Sequence, residues 1–123
     1  MLIPLIAFAM FAQSGSGVPQ RERGATLFEA CQVTVRIIDN PTTEGNSVAV
    51  ATSCTSYIDG FTDGLESAPA DLVCISGASM GTLARVYVAY MQKNPKLLDQ
   101  YRGVGLLLAL SESYPCPLKP KNK

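Results

Sequence analysis

Four cysteines in a chain of 123 residues, Cys31, Cys54, Cys74 and Cys116, constrain this fold more than any other feature. No two lie close enough to form a C-x₂₋₄-C metal hook or a redox C-x-x-C pair, and the sequence contains no histidine to complete a zinc site. An even number of cysteines in a short chain therefore reads as two disulfides, which implies an oxidising compartment.

The start of the chain agrees with export. Leu2 to Phe11 form an uncharged apolar run, too short for the roughly 20 residues of a spanning helix and of the right length for a signal-peptide core. Small residues at Ala7, Ala9 and Ala12 offer cleavage sites, and a cut after Ala12 leaves the longest apolar region, so residues 1–12 are expected to be a signal peptide. Residues 13–21 carry Ser, Gly, Pro and Gln with little to bury and are expected to form a flexible leader. The folded domain is expected over 22–118, followed by a basic tail at 119–123 holding Lys119, Lys121 and Lys123.

Within the domain the apolar period is helical throughout. Leu27, Phe28, Cys31, Val35 and Ile38 lie along one face of a first helix that Asp39-Asn40-Pro41 ends. Ser47 is placed to cap a second helix with the stripe Val50, Cys54, Tyr57, Ile58, Phe61 and Leu65. Gly60 and Gly64, four apart, would let a neighbouring helix approach closely or let the helix end. Ser67 to Gly77 reads as a loop pinned by Cys74, and Ser79 caps a third helix carrying Met80, Leu83, Ala84, Tyr87, Val88 and Met91. Those Met and Tyr residues read as core. Asn94-Pro95 stops that helix and starts a short one running to about Arg102. Gly103 and Gly105 read as breaks around a last helix from Val104 to about Ser113, halted by Pro115. No segment alternates well enough to be a strand. The expectation is an all-α, compact bundle of four main helices plus a short helix.

Helix order also suggests how the cysteines pair. If the first two helices fold as an antiparallel hairpin with its tip near Thr43, Cys31 lies twelve residues before the tip and Cys54 eleven after it, so they face each other. Cys74 precedes the third helix and Cys116 follows the last, and an up-and-down course brings both to one end. The expected pairs are Cys31–Cys54 and Cys74–Cys116.

Catalysis is poorly provided for. Gly77-Ala78-Ser79-Met80-Gly81 matches the nucleophile elbow G-x-S-x-G, but a Pro-containing loop precedes it where a strand is needed, and no histidine exists to take the proton. Ser79 is better read as a helix cap, and neither an enzyme nor a cofactor or metal is expected. Net charge is zero, which argues against nucleic acid. The charge is nonetheless uneven: residues 1–71 hold three basic and eight acidic side chains, residues 72–123 seven and two. Asp59, Asp63 and Glu66 share a face of the second helix, either a solvated row or a docking surface.

An ordered set of short motifs carries a family resemblance. Cys54-Thr55-Ser56-Tyr57-Ile58-Asp59-Gly60, then Cys74-Ile75, Leu83-Ala84-Arg85-Val86, Asn94-Pro95, Ala109-Leu110 and Tyr114-Pro115-Cys116 resemble the type VI amidase immunity (Tai) and resistance-associated-protein family over about residues 27–117. The family pattern often has Gly before the Tyr, where Thr55-Ser56 stand here, and a Pro-Asp-Gly-type turn after the loop cysteine, where Ile75-Ser76-Gly77-Ala78 stand. Tyr57, Gly60, Pro95 and Pro115, with the cysteines, match the motif as structural residues. The resemblance implies a periplasmic immunity protein that binds a type VI secretion peptidoglycan amidase and blocks its active-site cleft, in a family whose members can be homodimers. The alternative function is a general periplasmic adaptor or stress protein of the same fold with no cognate toxin. Recognition is expected on inter-helix loops, Pro41 to Asn46, Ser67 to Ser79 or Lys96 to Gly103. Ser67 to Ser79 is favoured, because Cys74 anchors it while Pro69, Ala70, Asp71, Gly77 and Ala78 give little reason for burial and the acidic row runs into it, with Asp71 and Leu72 as candidate contact residues.

Overall fold

The computed structural model describes residues 17–41 and 46–118. The expected signal peptide, residues 13–16 of the leader, residues 42–45 of the first inter-helix loop and the basic tail lie outside the described residues. Four α-helices account for most of the rest: α1 (Gly24–Asp39), α2 (Asn46–Glu66), α3 (Met80–Lys93) and α4 (Arg102–Ser113). Short 3-10 turns lie at Gln20–Glu22 and Pro95–Asp99. Among the described residues there is no strand, only an isolated bridge between Arg23 and Tyr101. The all-α bundle expected from the apolar period is therefore the fold, with the expected short helix realised as the five-residue 3-10 turn at Pro95–Asp99.

Helix α1 sits at the centre, in contact with α2, α3, α4 and the 3-10 turn before α4. Its buried face comprises Gly24, Leu27, Ala30, Cys31 and Thr34, while Ile38 at the end of the expected stripe is 44% exposed. Helix α2 meets α1 at Cys31 and Thr34, where the disulfide and the Thr34 hydroxyl link the two. Thr34 is buried there and donates its hydroxyl to the Ala30 carbonyl at 3.2 Å and the Ala51 carbonyl of α2 at 3.1 Å, so the polar group is satisfied inside the contact. Helix α2 begins two residues earlier than expected, which places Ser47 inside the helix rather than at its cap. Cys54 and Ile58 are fully buried and Thr62 nearly so, Tyr57, Phe61 and Leu65 are half-buried, and Val50 is exposed.

Helix α3 matches its expected boundaries. Ser79 caps it, its Oγ accepting from the Thr82 amide at 3.1 Å, and Leu83, Ala84, Tyr87, Val88 and Met91 are all buried. This is the role the elbow-like motif plays here. Tyr87 buries its ring and donates its hydroxyl to the Gly24 carbonyl at 3.2 Å, tying α3 to the start of α1; burial pushes its hydroxyl pKa well up. Replacing Leu83, which has no exposed surface, with Ala would cost about 2–5 kcal/mol.

The glycines redistribute. Gly60 and Gly64 are exposed on α2, and among the described residues a Cβ at either would meet nothing within 4 Å, so no described helix uses the approach they offer. Gly103 and Gly105, expected as breaks, lie inside α4, which begins at Arg102. A Cβ on Gly105 would stand 2.6 Å from Met91 Sδ, and one on Gly24 only 2.4 Å from the Leu97 carbonyl oxygen. The closest approaches are therefore made at Gly24 and Gly105, followed by Gly81, where a Cβ would stand 2.9 Å from Ile38 Cδ1.

Both disulfides have the expected pairing. Cys31–Cys54 joins α1 and α2 with a Cα–Cα distance of 5.1 Å, and Cys74–Cys116 joins the loop after α2 to the segment after α4 at 4.8 Å. In the described part of the expected leader, the Arg23 side chain donates from Nε to the Val18 carbonyl at 2.8 Å, and Thr26 donates to the Gln20 carbonyl at 2.5 Å.

Candidate functional site

The longest fully described connection is the crossover from Ser67 to Ser79, which carries α2 over to α3 without regular structure. Its start is set by local hydrogen bonds that close the end of α2. The Ser67 amide and hydroxyl donate to the Asp63 carbonyl at 3.1 and 2.9 Å, and the Ala68 amide donates to the Leu65 carbonyl at 3.2 Å. Pro69 then has no amide hydrogen with which to continue. Gly77 has φ +72°, a left-handed conformation that a side chain would disfavour, and turns the chain into the Ser79 cap.

Between these ends Cys74 is held twice, by its disulfide and by its amide, which donates to the Tyr114 carbonyl at 3.0 Å. Val73 and Ile75 pack against the core on either side of it. Leu72 stands outward with 51% of its surface exposed, and Asp71 is exposed on the same side as Val73. An extended segment sends alternate side chains to opposite sides, which is why Leu72 points away while its neighbour Val73 is anchored. Together with the end of α2 the crossover borders a cavity of about 310 Å³ lined by Leu65, Glu66, Asp71, Val73 and Ile75 among others.

Two members of the acidic set, Glu66 and Asp71, thus meet at one cavity, whereas Asp59 and Asp63 continue along the exposed face of α2 away from its lining. All four are exposed. Leu72 does not line the cavity but stands exposed on the same segment.

The motif residues occupy different ground. Tyr57 is half-buried and stacks near Phe61, ring centroids 6.0 Å apart, and the Arg102 guanidinium lies over its ring at 4.1 Å. Burial raises the Tyr57 pKa, and the neighbouring Arg102 charge works against the rise. This pair seats the start of α4 on α2, with Gly103 leaving room for both rings. Pro95 opens the 3-10 turn and Pro115 precedes the second half-cystine, both exposed.

Sequence reasoning missed the Tyr87 bond to Gly24 and the ion pair between Arg85 and Asp39, which links α3 to the end of α1. Arg85 holds the Asp39 carboxyl below its usual value by hydrogen bonding. Nothing in the local pattern marks either contact, because both join positions dozens of residues apart.

Chemically, the surface offers apolar and acidic groups on a rigid support. Among the described residues no group of His, Cys, Asp and Glu could hold a metal ion, no cysteine is free, and the Ser79 hydroxyl is engaged in capping. The arrangement is that of a twice-stapled helical scaffold presenting a loop. The family model of the Rap1a immunity proteins matches residues 23–116, from the residue before α1 to the last half-cystine, and the chain belongs to that family. No curated protein and no solved structure matches it.

Proposed function

We propose that this chain is a periplasmic immunity protein that binds a peptidoglycan amidase delivered by a type VI secretion system and occludes its active-site cleft. Membership of the Rap1a immunity family supports the inhibitory role, and the motif resemblance seen in the sequence supports the amidase as target. Two disulfides favour an oxidising compartment, consistent with residues 1–12 being a signal peptide removed after Ala12.

The observation that carries the reading is the crossover itself. A loop fixed at Ser67, Cys74 and Ser79 loses little conformational entropy on entering a cleft, yet it exposes Leu72 and Asp71 at its crest. An inhibitor of this kind needs no catalytic group, only a rigid surface that excludes substrate. The acidic row Asp59, Asp63 and Glu66 extends the same surface and would attract a basic cleft rim at long range. The expected result with the purified, oxidised protein is stoichiometric inhibition of peptidoglycan hydrolysis by a type VI amidase drawn from the genes neighbouring its own. Undiminished hydrolysis at saturating protein would overturn the reading.

A further inference from the structure

Helix α4 is apolar around more of its circumference than its neighbours cover. Leu106, Ala109 and Leu110 are fully buried, yet Val104 and Leu108 are each 42% exposed and Tyr101, just before the helix, 53%. Val104 and Leu108, four apart, share one outward face of the helix, and Tyr101 precedes it as the cap residue. A helix apolar on both sides ordinarily lies inside a fold, and a contiguous exposed apolar patch on a small protein marks a contact surface.

Of these residues, Leu108 lines a groove of about 470 Å³ between α4 and the corner where α3 gives way to the 3-10 turn. Tyr90, Pro95, Leu97 and Leu108 supply its apolar walls. Lys93 and Lys96 also line it, and no acidic side chain does. We propose that this face docks an acidic amphipathic helix of another protein, its apolar residues on Val104, Leu108 and the groove and its carboxylates toward Lys93 and Lys96. Apolar burial supplies the affinity and the two ammonium groups select charge and register. This chain's own acidic row does not fit as the occupant. Between Asp59 and Glu66 no large apolar side chain is exposed, so a second copy presenting that face would leave the groove unfilled.

The surface is separate from the crossover and its test needs no amidase. The probe is a fluorescein-labelled 14-residue amphipathic peptide of Leu and Glu, with a Leu and Lys counterpart, titrated with the oxidised full-length protein by fluorescence anisotropy. The acidic peptide is expected to bind at least about tenfold more tightly than the basic one, with affinity falling as salt rises. Leu108→Glu, and separately the Lys93→Glu/Lys96→Glu pair, should each weaken it about tenfold while circular dichroism stays unchanged. The lysine pair carries the test alone if Leu108→Glu perturbs folding. Equal binding of the two peptides, or binding insensitive to the lysine pair, would overturn the assignment. So would sedimentation showing a wild-type dimer that Leu108→Glu converts to monomer, since a second copy would then cover the face.

Discussion

The α1–α2 hairpin and the crossover after α2 are each closed by one disulfide, and they hold their shape for opposite reasons. Cys31 and Cys54 are fully buried in a helix pair that Thr34, Leu27 and Ile58 already pack, so the bond reinforces an interface that side chains have defined. The crossover has no helix or strand to organise it, and Cys74–Cys116 with the Cys74 amide bond does what regular structure does elsewhere. One region is rigid because it is packed, the other because it is tethered. A tethered segment can pack some side chains, here Val73 and Ile75, and still expose others such as Leu72, which is what a recognition surface requires.

The largest effects should come from cutting the two staples. Chain entropy alone ranks the Cys74–Cys116 bond, with its sequence separation of 42, above Cys31–Cys54 at 23, each worth about 3–4 kcal/mol. Surroundings are expected to reverse that order. Replacing Cys31 and Cys54 with Ala also empties buried volume in the core and should cost about 4 kcal/mol or more in chemical denaturation. Replacing Cys74 and Cys116 releases the crossover locally and should cost about 2 kcal/mol, with hydrogen exchange rising over residues 70–78 and core protection retained. The reverse order, or loss of core protection in the second variant, would show that the crossover is integral to the core.

Glycine substitution sharpens the contrast between packed and open surfaces. Gly24→Ala drives a Cβ into the Leu97 carbonyl and is expected to destabilise by about 1–3 kcal/mol. Gly60→Ala adds a methyl group to open helix surface and should stabilise by about 0.5–1 kcal/mol in thermal unfolding.

That pair also shows what the sequence makes legible. Helix ends are local events, so Asn40-Pro41, Ser79 and Asn94-Pro95 announce them, and with the ends in place the hairpin count brings Cys31 to Cys54. Close approach between helices is not local. Gly60 and Gly64 have the spacing of a contact face and stand in the open, whereas Gly105 resembles a break and is buried, since only the crossing of α3 and α4 decides which glycine meets a neighbour. At the candidate surface the anchoring of the crossover by Cys74 and Ser79 was readable from those two residues. The cavity that joins Glu66 to Asp71 was not, because it depends on Val73 and Ile75 turning inward.

The smallest effect concerns the Arg85–Asp39 pair at the other end of α1. Its folded carboxyl pKa lies below the ordinary 3.8, so the ionised form favours folding. The contribution is complete above that ordinary value and fades as pH falls through the lowered one. Arg85→Gln should therefore leave a slightly flatter stability profile at the acid end, and because both groups are solvent-exposed the difference is expected to be small. A profile unchanged by Arg85→Gln would mean that the pair makes no contribution.

The most direct measurement of the central claim is the affinity of a type VI peptidoglycan amidase, the proposed target, for the wild-type protein and for the Asp71→Lys/Leu72→Asp variant, by isothermal titration calorimetry with thermal unfolding alongside. Both side chains are exposed at the crest of the tethered crossover, so binding should fall at least about tenfold while the unfolding midpoint stays nearly fixed. Unaltered affinity in this variant, with binding abolished by changes at Lys96 to Gly103 instead, would contradict the assignment of recognition to the crossover.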